Sequence, residues 1–98
     1  MNEKIPCVYI MTNRRNGTLY TGVTSNLLKR AWEHKNDIAE GFTKKYRIHT
    51  LVYYEVCPSM ESAIFREKQI KAGSRKRKLD LIEIENGGWH DLYDRLLA

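Results

Sequence analysis

The fold turns on residues 7–23, Cys7-Val8-Tyr9-Ile10-Met11-Thr12-Asn13-Arg14-Arg15-Asn16-Gly17-Thr18-Leu19-Tyr20-Thr21-Gly22-Val23. Two runs of strand formers, 5–12 and 18–23, flank a polar segment that ends in Asn16-Gly17. Asn-Gly supplies the backbone conformation that a tight turn between antiparallel strands needs. The stretch therefore predicts a β-hairpin. Alternate side chains of a strand share a face, so across an even-length loop Tyr9 and Tyr20 fall on one face, opposite or diagonal to each other. Read structurally, they are an ordinary aromatic pair whose hydroxyls still need partners. Gly22 marks a place where a backbone or ligand comes close.

Working outward, Thr24, Ser25 and Asn26 offer N-cap oxygens, and Leu27, Leu28, Ala31 and Trp32 follow at helical spacing. This helix should fade between Asn36 and Gly41, and residues 42–49, polar and basic, read as a loop. A third strand spans 50–57. Pro58-Ser59 stops it and caps a helix from about Met60 to Lys71, closed by Gly73 as a left-handed C-terminal residue. A further helix runs from about Arg75 to Glu85, and Asn86-Gly87-Gly88 breaks it. Residues 89–98 should add one or two helical turns packed through Trp89, Leu92, Tyr93 and Leu96. The order ββαβαα plus a short terminal helix predicts one α+β domain over residues 1–98, a small three-stranded antiparallel sheet flanked by helices.

Glu67 resists a purely structural reading. At about 100° per residue it lands inside the stripe formed by Met60, Ala63, Ile64 and Ile70. Glutamate is seldom buried without a partner. Three readings are open: an ion pair with a nearby Lys or Arg, a helix turned so that Glu67 meets solvent (Phe65 opposite makes this possible), or a metal-binding or catalytic carboxylate. Arg30 and His34, four apart, share a helix face at the edge of the apolar stripe. They suit a phosphate, or form a surface pair beside Trp32.

Seventeen Lys and Arg against twelve Asp and Glu give 98 residues a net charge of +5, which favours a polyanionic partner without proving one. Lys44, Lys45 and Arg47, and the run Lys71, Arg75, Lys76, Arg77 and Lys78 with no acidic partner in view, are candidate phosphate contacts. Cys7 and Cys57 form no CxxC pair and read as small buried hydrophobes in a reducing compartment. No apolar run reaches the ~20 residues of a membrane span, and the N-terminus carries no apolar leader, so a cytoplasmic protein is expected.

These residues, in this order, resemble the GIY-YIG nuclease family. Its two name motifs match Cys7-Val8-Tyr9 and Tyr20-Thr21-Gly22. The helix that follows carries its Arg and His at Arg30 and His34, and a later helix carries its metal-binding Glu at Glu67. The resemblance spans roughly residues 5–90 and is closest to small stand-alone bacterial members. Those also share the ending Asn86-Gly87-Gly88-Trp89-His90-Asp91-Leu92-Tyr93. Cys7 and Val8 depart from the first motif. Asn86 is the candidate for a further site-ordering Asn.

The resemblance implies an endonuclease that hydrolyses nucleic-acid phosphodiesters, DNA favoured over RNA. Glu67 would hold one Mg²⁺ or Mn²⁺ ion, Arg30 would neutralise the phosphate, and Tyr9 would act as base, with Tyr20 and His34 orienting groups or relaying the proton. Monomer or weak homodimer, with a partner protein supplying specificity, are both compatible with it. A non-catalytic basic nucleic-acid-binding module and a protein-interaction domain are the competing classes.

Overall fold

The computed structural model describes residues 4–39 and 41–97. Its elements are β1 (Cys7–Thr12), β2 (Leu19–Thr24), α1 (Leu27–Lys35), α2 (Phe42–Lys45), β3 (Thr50–Val56), α3 (Met60–Ala72), α4 (Arg75–Glu85) and α5 (Tyr93–Leu97). This is the expected α+β order with one addition. The stretch expected to be a loop contains the four-residue α2, which has too few residues to show a helical period. Ala98, the end of the expected terminal helix, lies outside the described residues.

The sheet is antiparallel, in the order β2-β1-β3. All six residues of the central β1 are buried, as a strand covered on both faces requires. Cys7, Tyr9 and Met11 pack on one face with Leu27 and Ala31 of α1, Ile48, Leu51 and Leu92. Val8 and Ile10 pack on the other with Val52, Ala63 and Ile70 of α3, Ile82 of α4 and Trp89. Trp89 therefore serves the opposite face from Leu92, Tyr93 and Leu96, not the same cluster as expected. Cys7 and Cys57 are free thiols divided between the same two clusters, and Cys57 is only half-buried.

Two local features differ from expectation. Gly73 ends α3 with φ −74 and ψ 163, extended and not left-handed, because the chain passes straight into Ser74, the N-cap of α4. The pairing of β1 with β3 shifts between Ile10 and Met11, which leaves Val52 as the extra residue of a bulge. The carbonyl of Val52 is taken by Asn86 Nδ2 at 3.1 Å. Asn86 also donates to the His90 carbonyl at 2.8 Å and accepts from the His90 amide at 3.1 Å. Next to the bulge, Leu51 N–H donates to Asp91 Oδ1 at 3.2 Å, and Leu51 O accepts from the Leu92 amide at 2.7 Å. The Asn86–Leu92 segment thus laces the bulged strand to the end of the chain.

Candidate active site

Tyr9 sits opposite Gly22 in the hairpin register, and Tyr20 sits opposite Met11, so the two phenols are diagonal neighbours on one face. Their ring centroids are 6.3 Å apart. The Tyr9 ring lies over Gly22, where an added Cβ would stand 2.5 Å from both Cζ and the hydroxyl. Glycine is demanded here by a side chain of the protein itself. Alanine at position 22 would push Tyr9 out of place.

On α1 the buried residues are Leu27, Ala31 and His34, spaced i, i+4 and i+7. Leu28 and Trp32, expected on that face, are 41% and 48% exposed. His34 is therefore part of the inward stripe and not at its edge. Its Nε2 lies 3.1 Å from the Tyr9 hydroxyl, and its Nδ1 lies 3.0 Å from Thr43 Oγ1. Burial, and then the positive charge of Arg30, hold the imidazole down at a pKa of about 4. The neutral ring has one donor and one acceptor. The Thr43 and Tyr9 hydroxyls can each donate or accept, so both contacts are met in either tautomer; in the one with Nδ1–H donating to Thr43, Nε2 accepts from Tyr9. Thr43, buried at the start of α2, had no signal in the sequence, because its segment carries no periodicity.

Arg30 lies one turn before His34, held by Glu33 Oε1 at 2.9 Å. Burial pushes the Tyr9 hydroxyl up to about 12, the neighbouring Tyr20 and Glu67 add to the rise, and Arg30 opposes it. Glu67 belongs to the inward face of α3, between Ala63 and Ile70, the two buried positions of that helix. Met60 and Ile64, assigned to that stripe from sequence, are 38% and 39% exposed. The Glu67 side chain is 14% exposed and pairs with Lys71 at 3.0 Å. The ion-pair reading is thus realised; Ala63 and Ile70 pack on the opposite sheet face from Tyr9, and the Glu67 charge adds the smallest part of the rise at the Tyr9 hydroxyl. An open cavity of about 290 Å³ lined by Tyr20, Thr21, Phe42, Lys71 and Lys78 adjoins the cluster.

Asn86 does not join these residues, because its side chain is spent on Val52 and His90. The basic run also divides. Lys76 pairs with Asp80 at 3.1 Å, contrary to the expectation that the run lacks acidic partners. Arg75 donates to the Asn16 and Gly17 carbonyls at 2.9 and 2.7 Å and so pins the hairpin loop. Lys78 Nζ donates to the Gly73 carbonyl at 3.0 Å. Arg77 lines a groove of about 310 Å³ between α3 and α4, together with Arg66 and Ile84. Lys44, Lys45 and Arg47 are exposed on and after α2, whose Phe42 ring stacks on Tyr20.

A family model described as the GIY-YIG catalytic domain matches residues 5–80. The chain belongs to the GIY-YIG family. Relatives include a UPF0213 protein of Desulfotalea psychrophila, 40% identical over 79 residues, which are 79% of this chain and 71% of the relative. Another, from Staphylococcus haemolyticus, is 41% identical over 76 residues, 78% of this chain and 92% of the relative. The solution NMR structure of a UPF0213 protein from Bacillus halodurans superposes with a TM-score of 0.55 at 28% identity, covering 89% of this chain and 92% of that one. Membership of GIY-YIG is membership of a nuclease family, and the three-stranded antiparallel sheet with its helices is the fold of the neighbour. Among the described residues, no helix is long and apolar enough to cross a membrane.

The buried His34 of this GIY-YIG protein makes a pH prediction. Its folded pKa lies near 4, below the ordinary 6.5. Between those values the unfolded chain binds a proton that the folded chain does not, so stability falls as pH falls through this window. At the acid end the loss is about 3 kcal/mol from this group. Urea unfolding of the native protein and of His34→Gln at pH 7 and pH 4.5 should show a smaller drop for the variant. Equal drops would remove His34 as the acid-sensitive group.

Proposed function

We propose that this GIY-YIG protein is a metal-dependent endonuclease that hydrolyses nucleic-acid phosphodiesters, DNA before RNA, guided by strand structure and not by sequence. One observation carries the reading. Around the Tyr9 hydroxyl the fold gathers a neutral imidazole at 3.1 Å, the Tyr20 ring and the Arg30 guanidinium, within electrostatic reach of the Glu67 carboxylate. No packing requirement explains that combination, and it spends stability on a buried imidazole and a partly buried carboxylate.

The donor set fits one hard cation. Among the described residues no three His, Cys, Asp or Glu side chains form a group that could hold a metal ion, so no protein cage for zinc is present. A lone carboxylate suits Mg²⁺ or Mn²⁺, with the remaining ligands drawn from water and substrate oxygens. Glu67 would hold it, Lys71 moving aside, its side chain being 52% exposed. When bound, the cation supplies Lewis-acid polarisation of the phosphate and stabilisation of the leaving 3′-oxygen.

The protein's own residues do the rest. Arg30, steered by Glu33, forks onto a non-bridging phosphate oxygen where charge grows in the transition state. With its hydroxyl pushed up to about 12, Tyr9 is ionised in only about one molecule in 10⁵ at neutral pH. It can take a proton from water once the bound cation and Arg30 lower its own affinity for one, or with its own proton leaving in the same event. His34 Nε2, 3.1 Å from that hydroxyl, is placed to receive the proton when Nδ1 carries the ring's own, and Thr43 Oγ1 holds the ring from its other side. Tyr20 walls the pocket and orients the water or phosphate.

Incubating the protein with plasmid, single-stranded DNA and RNA, with Mn²⁺ or with EDTA, tests the reading. Cleavage that EDTA stops is expected. Binding without cleavage in any metal would leave only a basic binding module. Of the expected phosphate contacts, Lys45 and Arg47 are exposed on and after α2, beside the Tyr20–Phe42 stack. Lys45→Glu with Arg47→Glu should weaken binding and flatten the salt dependence by a slope of roughly 1.5, at about 0.7–0.9 per contact. Lys76→Glu, at a side chain already paired with Asp80, should change the slope least. An unchanged slope in the α2 variant would place the contact surface elsewhere.

A further inference from the structure

Three aromatic rings lead away from the Tyr9–His34 pair along the surface. Tyr20 is 5.5 Å from His34 between ring centroids. Phe42 lies 6.2 Å from Tyr20, stacked at 27°, and Tyr46 lies 4.7 Å beyond Phe42. The outer two are not core residues: Phe42 is 46% exposed and Tyr46 41% exposed. The chain fastens them in place. Thr43 of the same helix is buried and bonded to His34, and the Tyr46 carbonyl accepts from Asn13 Nδ2 of the hairpin loop at 3.3 Å. Cations accompany the rings, with Lys45 Nζ 5.5 Å from the Tyr46 centroid and Arg47 exposed beside it.

An exposed, pre-positioned run of π-faces with cations at its outer end suits one ligand chemistry. Bases stack on such rings while Lys and Arg follow the phosphates, and every base has a π-face, so the platform is tolerant of sequence. A base inside a duplex has both faces covered by its neighbours, so it has none to offer. We propose that Tyr20, Phe42 and Tyr46 form a stacking platform for unpaired bases, and that the strand delivered to the Tyr9 pocket is single-stranded or locally unpaired. This rests on the nuclease reading for the site beside the platform, but the binding it describes does not require catalysis.

The test is therefore made in EDTA, with the whole protein and fluorescein-labelled 12-mers of mixed sequence, as single-stranded DNA, single-stranded RNA and blunt duplex DNA, followed by anisotropy. The single strands should bind about ten-fold more tightly than the duplex. Phe42→Leu and Tyr46→Ala should each lose about ten-fold on single strands and leave duplex binding unchanged. Phe42→Tyr and Tyr46→Phe keep a ring and should keep the affinity, which separates stacking from damage to α2. Equal binding of duplex and single strand would overturn the proposal. So would full single-strand affinity in the leucine and alanine variants, or its loss in the ring-preserving ones. A protein that prefers single strands through these rings but cuts nothing in Mn²⁺ would sink the nuclease reading alone. One that cuts duplex and single strand alike, with the rings dispensable, would sink the platform alone.

Discussion

Glu67→Gln is expected to abolish cleavage, a loss of at least about 10³-fold in turnover, while nucleic-acid affinity in EDTA stays within about three-fold of the native protein. The isosteric amide keeps the shape of the side chain and removes the charge that would hold the cation. Its structural cost should be small. The Glu67–Lys71 pair is half in water, with side-chain exposures of 14% and 52%, and such pairs contribute about 0–1 kcal/mol. Relief of the partly buried carboxylate acts in the opposite direction. The thermal midpoint of the variant should therefore match or exceed that of the native protein, the pattern expected of a residue retained for chemistry at the expense of stability. If activity and folding fell together, Glu67 would be a structural ion-pair residue.

Arg30→Ala should lower turnover by about 10²–10³-fold, the usual consequence of removing one group aimed at developing charge. Arg30→Lys should recover only part of it, because lysine presents a point charge without the planar fork. Stability is a weak competitor for this explanation. The Arg30–Glu33 pair is an i,i+3 contact with the arginine side chain 40% exposed, worth a few tenths of a kcal/mol. Steady-state kinetics over a range of substrate concentrations separates the roles. A fall in kcat with little change in KM marks transition-state stabilisation, and a rise in KM alone would make Arg30 a docking residue. Near-normal turnover in the alanine variant would remove it from the site.

What the sequence showed and what it hid follow from locality. The hairpin was legible because strand alternation and the Asn16-Gly17 turn are local signals. They place Tyr9 and Tyr20 on one face, and the register makes them diagonal. The inward position of Glu67 was legible too, since Ala63 and Ile70 bracket it on the same face of α3. Large hydrophobes misled the helix readings. Trp32, Leu28, Met60 and Ile64 raise an apolar score wherever they point, and all four prove substantially exposed. The buried line of α1 runs instead through Leu27, Ala31 and His34. Assigning the stripe to the heaviest residues left the histidine at the margin.

Non-local hydrogen bonds were out of reach. Nothing near Arg75 in the chain announces that it binds carbonyls at Asn16 and Gly17. Nothing near Asn86 announces the Val52 bulge. Thr43, which orients His34, and the ring ladder of Phe42 and Tyr46 sit on an element too short to leave a periodic trace. The partner of Lys76 was different, because Asp80 stands at i+4 and that spacing is visible in the sequence.

Manganese-induced broadening of the NMR signals of the isotopically labelled protein, titrated without substrate, tests the central claim most directly. A paramagnetic ion held by Glu67 should erase first the resonances of Glu67, Tyr9 and Gly22, saturably, and Glu67→Gln should retain those signals at the same Mn²⁺ concentration. Broadening centred on other carboxylates, or unchanged in the glutamine variant, would show that no cation is gathered beside the Tyr9 hydroxyl.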